Sequence, residues 1–274
     1  MLGTGHALVT NCYNTCFVIH EKDHYFLVDG GGGNGLLRQL QQAQIPWQEI
    51  HEIFVTHKHV DHILGILWMI RMICQGMYHK TYSGEVCIYG HEEVLSLLYQ
   101  MASDLLLPRE VAFIHHRVHL ISVENGEHAV LCGCPVTFFD LHSPKTKQFG
   151  FSMELPDGER LSCCGDEPCT PSVYPFIEKS NWLLHEAFCL SAEAEIFHPH
   201  EKCHSTVKEA CQTAQTLQVK NLILYHTEDT HLSQRKALYS QEGQSYFSGK
   251  IWVPDDLERI QIYEAAAKSH ISAL

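Results

Sequence analysis

Short bursts of β-branched and aromatic residues recur along this chain, most of them closed by a polar or turn-forming residue. "TCFVIH" (15–20), "HYFLVDG" (24–30), "EIFVTH" (52–57), "VCIYG" (86–90), "PVTFFDLH" (135–142), "FGFSMEL" (149–155), "RLSCCGD" (160–166), "WLLHEA" (182–187), "LILYH" (222–226) and "KIWVP" (250–254) have the length and composition of strands. "NGLLRQLQQAQ", "HILGILWMIRMI", "EEVLSLLYQMA" and "STVKEACQTAQTL" instead carry apolar residues at helical spacing. Only Glu21 to Asp23 separates the first two strands, which predicts a hairpin. Hairpins mixed with strand–helix units predict an α/β fold with a sheet core and helices outside. No repeat, low-complexity stretch or charged linker divides the 274 residues, so a single domain, 1–274, is expected.

Polar residues collect at the C-terminal ends of those strands: Asp29, His57, His142, Asp166, His185 and His226. In α/β folds that edge is where sites are built. The 21 histidines add to the case, because imidazole is the commonest side-chain ligand for zinc. The start "MLGTGHALVT" lacks a basic n-region and an apolar h-region, so a cytoplasmic location and free thiols are expected. The 12 cysteines show no paired C-x-x-C knuckles. "CGC" and "CCGDEPC" therefore read as buried thiols rather than a structural metal site. "ILGILWMIRMIC" is too short to span a bilayer and contains Arg71, so no membrane segment is expected. A net charge of −13 is a poor match for a polyanion.

The densest signal is "THKHVDH", Thr56 to His62. His57 and His59, two apart in an extended loop after a strand, can point the same way and reach one ion. Asp61 and His62 follow at the start of a helix, where the pair can turn towards a second ion beside the first. The spacing supplies ligands for two metals. A ligand list of this kind does not choose between zinc, iron and manganese, since geometry and availability matter more.

On these residues the chain resembles the metallo-β-lactamase superfamily, whose signature is T-H-x-H-x-D-H, and almost the whole chain can be laid on that pattern. The resemblance implies an αββα sandwich, two mixed sheets packed face to face with helices outside. It implies one zinc held by His57, His59 and His142, a second held by Asp61, His62 and His226, and Asp166 bridging both. Asp29 in "FLVDGG" matches the aspartate that buttresses the metal loops. "WLLHEAFC" (182–189) and "KCHSTVKEA" (202–210) resemble the H-E-A-T-F and H-S-T motifs of ribonuclease Z, the tRNA 3′-processing endonuclease. "LGTG" (2–5) and "CIYGHEEV" (87–94) resemble the same group. That likeness implies that His204 donates a proton to the leaving oxygen and that Glu186 holds it, with Asp61 also in the catalytic set.

The implied chemistry is coherent. A phosphodiester hydrolase needs a hydroxide, two cations to neutralise the transition state, and an acid for the departing alkoxide. Zinc brings bound water from a pKa of about 15.7 to about 7, and His204 supplies the acid. The expected function is that of a dinuclear-zinc hydrolase, a ribonuclease Z-like phosphodiesterase.

The sequence departs from ribonuclease Z between His142 and Asp166. The common bacterial enzyme carries a long glycine-rich, basic tRNA-gripping arm there, whereas this chain has only "SPKTKQFGFSMELPDGERLSCCG". A small diester, such as a cyclic nucleotide or a short oligonucleotide, is therefore expected as substrate rather than whole tRNA. True tRNA 3′ processing, or hydrolysis of another ester, thioester or lactone, are the alternatives. Lys145 and Lys147 are a small basic remnant able to hold one phosphate, although composition favours a solvated turn, and "QGMYHKTYSG" (75–84) reads as a plain surface loop before it reads as a substrate-facing one. Ribonuclease Z relatives are commonly homodimers, so the resemblance implies a dimer. Serine-nucleophile chemistry has no G-x-S-x-G support, and "DGGGGNG" (29–35) lacks the G-K-[ST] ending of a phosphate loop. A tight turn before a helix accounts for those glycines.

Overall fold

A computed structural model describes residues 1–263. Strands β1 (Phe17–Glu21), β2 (His24–Val28), β3 (Ile50–Phe54), β4 (Val86–Gly90) and β5 (Val118–Ser122) form one sheet in that order. The first pair is antiparallel and the remaining neighbours are parallel. The second sheet runs β12 (Lys250–Trp252), β11 (Asn221–Tyr225), β10 (Trp182–Glu186), β9 (Arg160–Cys163), β8 (Phe149–Glu154), β7 (Cys134–Asp140) and β6 (His128–Leu131). Strands β6 to β9 meander antiparallel, and β9 to β12 are parallel neighbours. Helices α1 (Gly35–Gln42), α2 (Val60–His79), α3 (Glu92–Leu105) and α4 (Pro108–Val111) belong to the first half, and α5 (Tyr174–Ile177), α6 (Ala194–Phe197), α7 (Val207–Thr216) and α8 (Arg235–Gly243) to the second.

Alternation along the strands builds the layers. Phe26 and Val28 pack with Phe138, Phe151 and Ile223 between the sheets, while Leu27 between them joins Leu36 and Ile66 under the helices. On β11, Ile223 and Tyr225 face the other sheet, and Leu222 and Leu224 pack with Val207, Ala210 and Tyr239. Successive side chains on a strand point to opposite faces, so each buried strand feeds two cores. The result is the expected αββα sandwich.

Elements that the apolar pattern did not announce lie at edges or use polar residues. β5 and β6 end their sheets, and β6 leaves Val130 largely exposed, so neither carries a buried run. α8 buries Arg235, Tyr239 and Gly243, which spell no apolar stripe. α2 extends past its apolar run to 20 residues and is long and apolar enough to cross a membrane by composition, but most of it is buried in the first core. That extension also removes "QGMYHKTYSG" as a free loop. The stretch finishes α2, and Tyr82 is buried, stacked on Trp47 at 6.0 Å with its hydroxyl donating to Ile50 O.

Two glycines position the functional edge. A Cβ on Gly65 of α2 would lie 1.8 Å from Gly30 O, and one on Gly30 would lie 2.4 Å from Ile66 N. Only bare backbone permits this crossing. It clamps the first turns of α2 against the loop after β2, with Gly30 N donating to His62 O and Gly65 N to Gly31 O.

Candidate metal centre

The parallel strands of both sheets end at one edge, and there the sequence-distant ligand-type residues meet. His57, His59 and Asp166 form one group whose donor atoms lie within 4.8 Å of one another, and Asp61, His62 and His226 form a second. Asp166, His204 and His226 form a third, so Asp166 and His226 join the groups into one cluster. Asp166 Oδ1 lies 3.6 Å from His57 Nε2, while its Oδ2 lies 3.6 Å from His226 Nε2 and 3.9 Å from His62 Nε2. One carboxylate thus presents an oxygen to each side.

Behind the cluster, hydrogen bonds fix the rings. Asp29 Oδ1 accepts from Thr56 N (2.8 Å), and its Oδ2 accepts from Thr56 Oγ1 (2.7 Å) and pairs with His62 Nδ1 (2.7 Å). Thr56 Oγ1 also lies 2.9 Å from His57 Nδ1, and Thr15 Oγ1 lies 3.2 Å from His226 Nδ1. Each of these contacts directs a ring's Nε2 into the cluster. Asp29 and His226 both hold a left-handed backbone, at φ 56° and 57°, as their strands turn sharply outward. Such strain persists where surroundings over-determine it and gathers at functional sites.

Burial sets the protonation of these groups. It pushes His57 and His226 well below the ordinary histidine range. Burial opposes charge on His62 too, but Asp61 and Asp29 overcome it and hold that ring's pKa well above its usual value. Asp166 stays well below the carboxylate range despite burial, because His57, His226 and His62 surround it.

These residues fit metal ions. Among the described residues, buried His62 Nε2 and Asp166 Oδ1 have no hydrogen-bond partner, and His57 Nε2 faces His59 Nδ1 at 2.8 Å. Ligands about 2.0–2.1 Å from a tetrahedral zinc sit about 3.3 Å apart. The pairs named above, at 2.8 to 3.9 Å, bracket that spacing. A cation would satisfy atoms that are otherwise costly to bury.

One implied ligand stands apart. His142 follows β7 with φ 54°, and its side chain is 56% exposed, 3.8 Å from Asp140 Oδ1. Its side chain faces solvent, so it joins none of the groups. The same loop brings in Lys145, whose Nζ lies 3.0 Å from Glu167 Oε1 and 3.9 Å from Asp166 Oδ2. Lys147 instead lies over the Phe149 ring at 5.4 Å.

Glu186 and His204 meet beside the cluster. Glu186 is fully buried at the end of β10, where its Oε1 accepts from Ser205 N (2.6 Å) and from Ser205 Oγ. Its Oε2 lies 3.5 Å from His204 Nδ1, and the His204 ring stacks on Phe188 at 5.0 Å. Its neighbour His185 faces the other way, as alternation requires. His185 Nδ1 bonds Glu186 O at 2.6 Å and its Nε2 lies 3.3 Å from Cys169 N. It is a core histidine outside the cluster. Thr15 and Glu167 also serve the edge, yet no motif marks them. Thr15 reaches His226 across 211 residues, a contact visible only once the chain is folded.

With this sandwich and this edge the chain falls in the metallo-β-lactamase superfamily, as a metal-dependent hydrolase of the ribonuclease Z-like branch. Within that class it belongs to the family of anti-Pycsar protein Apyc1, which it matches over residues 1–248. Ribonuclease Z of Parabacteroides distasonis is similar at 25% identity over 92% of this chain and 94% of its own length. The crystal structure of human tRNase Z, short form, is similar with a TM-score of 0.71 and 20% identity, covering 96% of this chain and 98% of that one. The metallo-β-lactamase fold protein YhfI from Bacillus subtilis has a TM-score of 0.74 at 17% identity, over 93% of this chain and 95% of its own.

Proposed function

We propose that this chain hydrolyses a small phosphodiester, such as a cyclic nucleotide or a short oligonucleotide, with two zinc ions at the cluster. The observation that carries the reading is the Glu186–His204 pair, placed beside the cluster at 3.5 Å from each other. Esters, lactones and thioesters have no evident need for such a pair, whereas a departing alkoxide needs an acid. Bound there, the metal ions would supply a nucleophile at neutral pH and neutralise charge as it develops on the phosphate.

The chain's own residues do the rest. His57, His59, Asp61, His62 and His226 are the ligands, with Asp166 between the two groups, and Asp29 and Thr56 orient the rings. Ser205 occupies Glu186 Oε1 and so aims Oε2 at His204 Nδ1. That carboxylate orients the ring, and His204 Nε2 faces the leaving oxygen as its proton donor.

Two features favour a small substrate. Residues 143–165 contain β8 and β9 with short connections and no extended arm, and the net charge is −13. A tRNA binder normally carries a basic surface. The ribonuclease Z relatives keep precursor tRNA as the second reading. Turnover by zinc-loaded protein of a diester with a poor leaving group, slowed in His204→Ala far more than turnover of an activated aryl diester, tests the proposal. No turnover at any metal loading would refute it.

A further inference from the structure

The loop that turns His142 out to solvent brings Lys145 in, and the surroundings hold it there. Glu167 is buried, and its Oε1 accepts from Lys145 Nζ (3.0 Å), Ser143 Oγ (2.7 Å) and Gln148 Nε2 (3.0 Å). Ser143 Oγ in turn accepts from Lys145 N at 3.1 Å. The lysine side chain is only 20% exposed. Among the described residues, no other lysine or arginine makes an ion pair with Asp29, Asp61, Asp166 or Glu186.

Fixing a flexible lysine this way sacrifices rotamer entropy, so the anchoring calls for a return. Serving as counter-ion to Asp166 is a poor one, since a carboxylate that ligates dications has its charge neutralised by them. An anion arriving at the centre is a better partner. The molecule's net charge of −13 repels anions at long range, which makes a fixed local cation valuable.

We infer that Lys145 binds a non-bridging oxygen of the scissile phosphate, and that Glu167 is the residue that positions it. The inference rests on the phosphodiester reading above for its substrate. Lysine suits the task as a compact point charge that follows the phosphate through the reaction. Glu167, tethered by Ser143 and Gln148, keeps the ammonium beside the centre between turnovers.

The test is calorimetric titration of inorganic phosphate into metal-loaded wild type, Lys145→Met, Lys145→Arg and Glu167→Gln, with metal content measured on the same samples and aryl diester kinetics in parallel. Losing a charge-assisted contact should weaken phosphate about tenfold to a hundredfold in Lys145→Met and lower kcat/KM by a similar factor at unchanged metal content. Lys145→Arg should keep most of the affinity, and Glu167→Gln should lose less than Lys145→Met. Wild-type phosphate affinity in Lys145→Met would overturn the inference. So would loss of metal in that variant, which would make the lysine a support of Asp166. Lys145-dependent phosphate binding by a protein that turns over no diester would sink the phosphodiester reading and leave the anion site standing.

Discussion

Asp29 contributes to the centre from behind it, through Thr56 and the His62 ring. Removing such an outer partner typically costs a factor of about 10–100 in metal affinity. Asp29→Ala should therefore lose zinc to a competing chelator at correspondingly lower concentrations, and an unchanged competition curve would mean that the rings are held by packing alone. His204→Ala should slow a diester with a poor leaving group by roughly 10²–10⁴ at unchanged metal content. An activated aryl diester, whose leaving group needs little protonation, should lose much less, and equal losses would remove His204 as the acid. Asp29, His62 and His204 were legible because "FLVDGG", "THKHVDH" and "HEA…HST" are local patterns. That His142 lies outside the cluster was not legible, because strand order says nothing of which way a side chain faces in the loop beyond the strand's end. Lys145 was visible as a charge, but its approach to Asp166 depends on Glu167, Ser143 and Gln148, which no spacing rule connects.

At the scale of elements, the crossing of α2 over the β2 loop is the tightest constraint. Gly65→Ala would drive a methyl into Gly30 O, and overpacking of this kind costs about 1–3 kcal/mol or more. Urea unfolding should show that loss, together with weaker zinc binding, because Asp61 and His62 open the same helix; wild-type stability would mean that α2 can shift freely. His91 caps α3, its Nδ1 accepting from Val94 N at 3.4 Å, and burial followed by Lys147 pushes its pKa down to about 4. Since the folded value lies below the unfolded 6.5, the unfolded chain binds the proton first. Stability present above pH 6.5 should thus fall as pH drops towards 4. His91→Asn keeps a cap that does not titrate and should flatten that slope in urea titrations, and an identical slope would clear His91 of the effect. Buried strands were readable as apolar runs, whereas β5, β6 and α8 escaped because edge position and polar contacts leave little hydrophobic periodicity.

For the whole molecule, two sheets meet so that their parallel strands end at one edge, and the cluster draws ligands from both. A metal bound there stabilises the folded state by mass action, so chelation should lower the melting temperature and added zinc restore it. A melting temperature indifferent to chelator would mean that the cluster holds no metal. The sandwich was legible from strand alternation together with the resemblance. The narrower family was not read from the sequence, where the motifs led to the ribonuclease Z-like branch. The absence of a long arm and the net charge of −13 favour a small diester. The most direct test of that claim incubates zinc-loaded protein in parallel with a cyclic nucleotide, an activated aryl diester and a precursor tRNA bearing a 3′ trailer. The expected result is turnover of the aryl diester and the cyclic nucleotide with the tRNA intact. Trailer cleavage at the discriminator base with the cyclic nucleotide untouched would contradict it.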